Sequence, residues 1–274
     1  MGELQWYDMG TGRMPWLEFG ARRAPVVLTL PGLTDGLMPL SEARTRRALA
    51  ALPTRDLPFR LVAVSYPDPL PEGVTTRRLA TSVAAFVTDV IAAPVAVSAH
   101  SMGGMVAQHL AADRPDLVTA LALTATLAAP VAPFRDRLAR WEALVTAGRW
   151  RGFYADALDA SYTGSELLRR RLLLRMSRPP ALPHLVDRHR QLTAACLAHD
   201  ARDRLDRIDC PTLVLAGAAD PVVPPAASDA LAAGIRGARF EVLAGLAHGF
   251  PEQASARTFA AISSLLGLDP KVMP

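Results

Sequence analysis

The residues with the most chemical potential are a serine on a turn, a carboxylate and an imidazole, met in that order along the 274-residue chain. Ser101 follows the short apolar run 94–97, in the stretch Ser98, Ala99, His100, Ser101, Met102, Gly103, Gly104, and precedes a helix-like segment at 106–114. The pattern predicts strand, sharp turn, helix, with the small residues letting the two elements pass closely while the hydroxyl stands out at the tip. A serine hydroxyl is almost never ionised at neutral pH, so it needs a base to take its proton as it attacks. Imidazole, with an unperturbed pKa of about 6.5, suits that task. Of the six histidines, only His248 follows Asp220, whose carboxylate would hold the second ring nitrogen and stabilise the imidazolium. Taken singly, each has a plainer explanation: an ordinary Ser-Met-Gly-Gly loop, a turn-capping Asp-Pro, a loop histidine beside Gly249. Their joint occurrence at the ends of predicted strands carries the assignment. His100 is an alternative base by proximity, but neighbouring side chains on a tight turn point apart, so it is read as packing behind the site, and His109 as more distant still.

The elements that must position these groups are legible in the hydrophobic pattern. Residues 212–216 form an apolar run broken at 217–221, which places Asp220 at a strand's end. Residues 240–243 predict a further strand, and the loop 244–251 after it carries His248. Upstream, 4–7 and 14–19 predict an antiparallel edge joined through Gly10 and Gly12. Segments 25–30, 61–64 and 118–124 are apolar almost throughout, as parallel strands covered on both faces are. A helix is predicted over 41–52, and another where Leu79, Val83, Phe86, Val87, Val90 and Ile91 recur at helical spacing behind a cap at Thr75 or Thr76. This alternation predicts an α/β fold with a doubly wound, mostly parallel sheet.

From 129 to about 207 the strand pattern disappears. Phe134, Leu138, Trp141, Leu144 and Val145 mark one amphipathic helix, Leu167 and Leu168 with Leu172, Leu173 and Leu174 a second, and Leu185, Leu192 and Cys196 a third. The expected organisation is a core of 1–128 and 208–274 with an inserted α-helical cap over 129–207. Trp141, Trp150, Phe153, Tyr154 and Tyr162 either pack this cap onto the core or line an acyl pocket, and packing weighs more.

With these motifs in view, the chain resembles an α/β-hydrolase over nearly its whole length, least over 126–208. The Ser-Met-Gly-Gly-Met stretch at 101–105 and Cys-Pro-Thr-Leu-Val at 210–214 are similar to those of 3-oxoadipate enol-lactonase-like esterases and lactonases. The resemblance implies the order Ser101, Asp220, His248 and a site without metal or organic cofactor. It also implies an oxyanion hole of two backbone N–H groups. Matching Gly32 to the family's His-Gly loop makes Leu33 one donor, and Met102, directly after the serine, the other. Pro31 stands in the histidine's place, but a backbone donor depends on the loop's shape and not on that side chain. The exit 65–71 lacks the Arg-Gly-His-Gly type of loop common in the family. The activity implied is cleavage of a carboxylic ester or lactone through an acyl-enzyme. Thioesterase or carbon-carbon hydrolase chemistry uses the same triad, and a non-hydrolytic lyase or cyclase step, or a ligand receptor on a hydrolase scaffold, stays open. A serine nucleophile argues against haloalkane dehalogenases and most epoxide hydrolases, which carry an aspartate there.

Charge and composition narrow the partners. The formal net charge is +4, and Lys271 is the only lysine, so the basic residues are nearly all arginine. Residues 131–207 hold 15 Arg against 9 Asp plus Glu, a net +6, leaving about −2 elsewhere. An anionic small-molecule substrate is one reading of this, and an arginine-rich solvated face is the weightier one. No nucleic-acid module is present, and no apolar run reaches the roughly 18 residues of a membrane helix. The N-terminus lacks a basic, apolar signal pattern, so a cytoplasmic protein is expected. Cys196 and Cys210 read as free, buried thiols. His184, His189 and His199 lack metal-ligand spacing, and no phosphate-cradling glycine pattern supports a nucleotide. His189 and the arginines beside it are read as facing water, and Asp35 as a turn or helix-capping aspartate. Oligomeric state is open.

Overall fold

A computed structural model describes residues 3–20, 23–40 and 59–267. Its strands are β1 (Gln5–Asp8), β2 (Arg13–Phe19), β3 (Val26–Leu30), β4 (Arg60–Val64), β5 (Val95–His100), β6 (Val118–Thr124), β7 (Thr212–Gly217) and β8 (Arg239–Leu243). They form one sheet in the order β1-β2-β4-β3-β5-β6-β7-β8, antiparallel at β1-β2 and β2-β4 and parallel elsewhere. Because strand side chains alternate, the continuous apolar runs bury both faces. Val27, Leu61, Ala96 and Ala120 pack on one side, and Leu28, Val62, Val97 and Leu121 on the other. The strand order reverses direction between β3 and β5, a topological switch point, and the crevice at the carboxyl ends of the strands beside such a point is where open α/β sheets place their ligands.

The helices are α1 (Thr76–Phe86), α2 (Met102–Asp113), α3 (Ala132–Thr146), α4 (Trp150–Ser161), α5 (Gly164–Met176), α6 (Val186–Leu197), α7 (Pro225–Gly234), α8 (Phe250–Gln253) and α9 (Ser255–Leu265). Thr75 is the cap of α1, its hydroxyl accepting the Arg78 N–H at 3.1 Å, while the Thr76 hydroxyl pairs instead with His199 Nδ1 at 2.9 Å. The helix predicted over 41–52 lies outside the described residues. Among the described residues no helix is long and apolar enough to cross a membrane.

Between β6 and β7 the chain forms four helices, α3 to α6, where the spacing predicts three. The extra one, α4, buries Trp150, Phe153 and Ala160, and an alanine on a buried face leaves a faint periodic signal. The reverse holds for α5, whose leucine pattern predicts burial and yet has no buried residue; Leu168 is 66% and Met176 78% exposed. Trp141, Phe153 and Tyr154 pack on one another within this segment, while the Tyr162 hydroxyl donates to Glu252 outside it. Trp141 meets Phe153 edge-on at 6.2 Å and donates its indole N–H to Asp156 at 2.8 Å. Many of its arginines are tied in ion pairs at or near the surface, as Arg137 and Arg140 to the largely buried Asp156, Arg169 and Arg170 to Glu166, and Arg171 to Asp159. An exposed pair such as Arg171 with Asp159 contributes little stability.

Three expectations are corrected here. Arg188 and His189 do not face water: they are 8% and 2% exposed, because α6 lies across the turn that follows β3. Among the described residues the Asp35 side chain caps no turn or helix. It is enclosed with the Arg188 guanidinium, which lies 2.7 Å from its Oδ2, and a buried charge persists only when paired in this way. Burial pushes the Asp35 carboxyl up, and the Arg188 charge and the donors around it oppose that shift. The two cysteines are free, but only Cys196 is buried, which raises its thiol; Cys210, just before β7, is partly exposed and not buried as expected.

His109, His189 and His199 are all buried, and desolvation holds them at about 4, about 4 and about 3. The unfolded chain, with histidines near pKa 6.5, therefore binds more protons between about pH 6.5 and pH 4. The stability these groups contribute is fully present above pH 6.5 and is lost as pH falls through that window, by up to about 1.4 kcal/mol per pH unit for each histidine. Urea unfolding at pH 7.5 and pH 5 should show a clear drop at the lower pH, shallower in His199→Gln; equal midpoints would contradict it.

Candidate active site

Ser101 has φ 54° and ψ −118°, a conformation that costs a non-glycine residue about 1–3 kcal/mol and persists only where its surroundings impose it. The imposition is visible. The Ser101 N–H donates to Thr124 O at 2.9 Å, and the Ser101 carbonyl accepts from the Thr126 hydroxyl at 2.8 Å. Thr126 is itself fixed by Ser228, whose hydroxyl donates to the Thr126 carbonyl at 2.8 Å. The start of α2 crosses so near β3 that a Cβ on Gly103 would lie 2.3 Å from the Leu30 carbonyl oxygen, and one on Gly104 2.5 Å from Thr126 Cγ2. Glycine is therefore required at both positions.

The carboxylate sits just past β7. Asp220 Oδ1 accepts the N–H groups of Val222 and Val223 at 2.8 and 2.9 Å, which aims Oδ2 at His248 Nδ1, 2.8 Å away. The imidazole comes from the loop between β8 and α8. Gly217 makes room for that loop, since a Cβ there would lie 2.5 Å from Leu246 O, and Ala219 N–H bonds the same oxygen at 2.9 Å. On its outer side the loop is tied to the end of α4: His248 N–H donates to Ala160 O at 3.1 Å and Gly249 N–H to Ser161 O at 2.8 Å. His248 Nε2 then lies 3.0 Å from Ser101 Oγ. The structure thus brings Ser101, His248 and Asp220 into one buried chain of hydrogen bonds.

Leu33 begins a 3₁₀ turn (Leu33–Gly36) and Met102 begins α2. The N–H groups at such starts have no partner within their own helix, and among the described residues neither donates to a protein acceptor. The Leu33 loop rests on the serine, because a Cβ on Gly32 would lie 3.3 Å from Ser101 Cβ. The arrangement offers a hydroxyl with a base in reach and, beside it, two free donors suited to an anionic oxygen. His100 lies behind: its ring is 5.0 Å from that of His248, its Nδ1 is 3.2 Å from the Thr124 hydroxyl, and burial, then the His248 charge, push it down to about 3. Among the described residues no group of three or more His, Cys, Asp or Glu is arranged to hold a metal ion.

Sequence reasoning missed the two ties from the helical segment, α4 to the His248 loop and α6 to the Leu33 loop. The first runs through backbone atoms and leaves no residue-type signal. The second joins residues 153 positions apart, and neither Arg188, between Asp187 and His189, nor Asp35, between Thr34 and Gly36, stands in an apolar run that would mark it as buried.

The chain has relatives among known proteins. A family model described as serine aminopeptidase, S33, matches residues 76–252. The pimeloyl-[acyl-carrier protein] methyl ester esterase of Neisseria meningitidis serogroup B is 33% identical over 184 residues, covering 63% of this chain and 68% of that protein. Among solved structures, an α/β hydrolase from a Medee basin deep-sea metagenome library aligns with a TM-score of 0.82 at 15% identity, over 97% of this chain and 98% of that one. The enol-lactonase from Burkholderia xenovorans LB400 aligns with a TM-score of 0.78 at 22% identity, over 96% and 100%. At these identities the structural likeness shows the fold.

A pair of glycine substitutions tests the crowding at the turn. Gly103→Ala meets rigid backbone and should cost more than about 3 kcal/mol or prevent folding. Gly152→Ala, in α4, meets only the Leu144 side chain at 3.3 Å and should be neutral or stabilising by up to about 1 kcal/mol. Urea unfolding of both decides, and equal losses would remove the steric argument.

Proposed function

Because the chain belongs to the serine aminopeptidase S33 family of α/β-hydrolases, we propose that it hydrolyses a carboxylic ester through an acyl-enzyme, with Ser101 as nucleophile, His248 as base and Asp220 as its orienting carboxylate. The observation that carries this reading is the unbroken path from Asp220 Oδ2 through both nitrogens of His248 to Ser101 Oγ. As Oγ attacks the carbonyl carbon, His248 Nε2 takes its proton and Asp220 stabilises the imidazolium. The oxyanion gathers against the N–H groups of Leu33 and Met102, an interaction that strengthens only as charge develops. The intermediate collapses with the alcohol leaving, protonated by His248. Water, deprotonated by the same ring, then attacks the acyl-enzyme and frees the acid.

The helical segment 129–207 acts in this reading as a cap over the crevice. Its net positive charge suits an acyl group bearing an anion better than the cationic amino terminus that an aminopeptidase must hold. The Neisseria relative, named for a methyl ester, favours an ester of a small alcohol. Lactone cleavage follows the same steps with the alcohol retained in the product.

A fluorophosphonate should label Ser101, and a panel of esters, lactones and thioesters of graded chain length should show turnover that Ser101→Ala lowers by about 10⁴-fold or more without altering the circular dichroism. Near-normal ester turnover by Ser101→Ala would sink the proposal.

A further inference from the structure

We propose that Arg188 is a positioning residue for the oxyanion loop: reaching in from the helical segment, it clamps the turn that carries the Leu33 N–H. The inference rests on the reading of Leu33 as an oxyanion donor. Leu33 lies between two anchored points, each two residues away. On one side the Pro31 carbonyl accepts the Tyr66 hydroxyl at 3.0 Å. On the other, Asp35 Oδ2 accepts from Arg188 Nη2 at 2.7 Å and from the Tyr66 N–H at 3.3 Å. The same guanidinium donates to the carbonyls of Tyr66 at 3.0 Å and Pro67 at 2.7 Å, and so fixes the residue whose hydroxyl holds Pro31. One side chain thereby sets both ends of the turn, which the Asp35 N–H closes by bonding Gly32 O at 3.1 Å.

The next residue on α6 blocks the remaining freedom. A Cβ on Gly36 would lie 3.0 Å from His189 Cα, so the turn is pressed against the helix backbone. Enclosing an arginine and an aspartate is seldom a net source of stability, since desolvation offsets the attraction. What three acceptors on one rigid fork do supply is a single geometry, and lysine, a compact charge on a flexible stem, does not reproduce it. An oxyanion donor needs that fixity, because its advantage over water is that it does not reorganise as the charge forms.

Arg188→Lys keeps a cation opposite Asp35 but loses the fork, and Tyr66→Phe removes only the bond to Pro31. Each is to be measured for kcat and KM on 4-nitrophenyl acetate and for hydrogen exchange at amides 33–37. Expected are a kcat lower by about tenfold or more with KM within about twofold, and faster exchange across the turn. If Arg188→Lys does not fold, Tyr66→Phe decides alone. A folded variant with kcat within about twofold of the parent and unchanged exchange overturns the clamp. Should the parent turn over no ester, the reading of the site falls, while exchange at 33–37 in the same variants still decides whether Arg188 and Tyr66 order the loop.

Discussion

The left-handed backbone at Ser101 is the constraint on which the rest of the molecule depends. A non-glycine residue stays in that conformation only when both its neighbours and its carbonyl are fixed, and here each of those supports reaches another part of the sheet. The serine N–H is held by the end of β6, its carbonyl by Thr126, and the helix that follows it lies over the end of β3. The strain therefore cannot relax locally. Side-chain direction, and with it the 3.0 Å approach of His248, follows from that rigidity.

The second organising fact is that the helical segment between β6 and β7 is joined to the loops beneath it by directed polar bonds as well as apolar packing. The end of α4 bonds the backbone of the His248 loop, and Arg188 on α6 bonds the turn after β3. Such contacts fix distance and orientation in a way that interchangeable leucine packing does not. The two loops they reach flank the serine from opposite sides of the switch point.

Much of this was legible in the sequence because the constraints are local. Gly103 and Gly104 are needed within a few residues of Ser101, and the breaks after 216 and 243 are marked by the residues that make them. The strands of the parallel sheet were readable for the same reason, each being apolar on both faces. What was not legible depends on distant partners. Asp35 and Arg188 lie 153 positions apart, and nothing beside either one announces that the other will be enclosed with it. The burial of α4 rests on Trp150, Phe153 and Ala160, too few and too widely spaced to form a clear stripe, and the exposure of the α5 leucines is set by what lies around the helix and not by its own periodicity.

The bonds from Ala160 and Ser161 to the His248 loop make the helical segment a poor candidate for modular exchange. A chimera that grafted the corresponding helices of a relative onto this sheet would bring new walls to the crevice. It would also inherit a new footing for the imidazole, so altered selectivity and altered reactivity would arrive together. Engineering that aims at selectivity alone is better directed at side chains within the native helices, leaving the backbone junction at 160–161 in place.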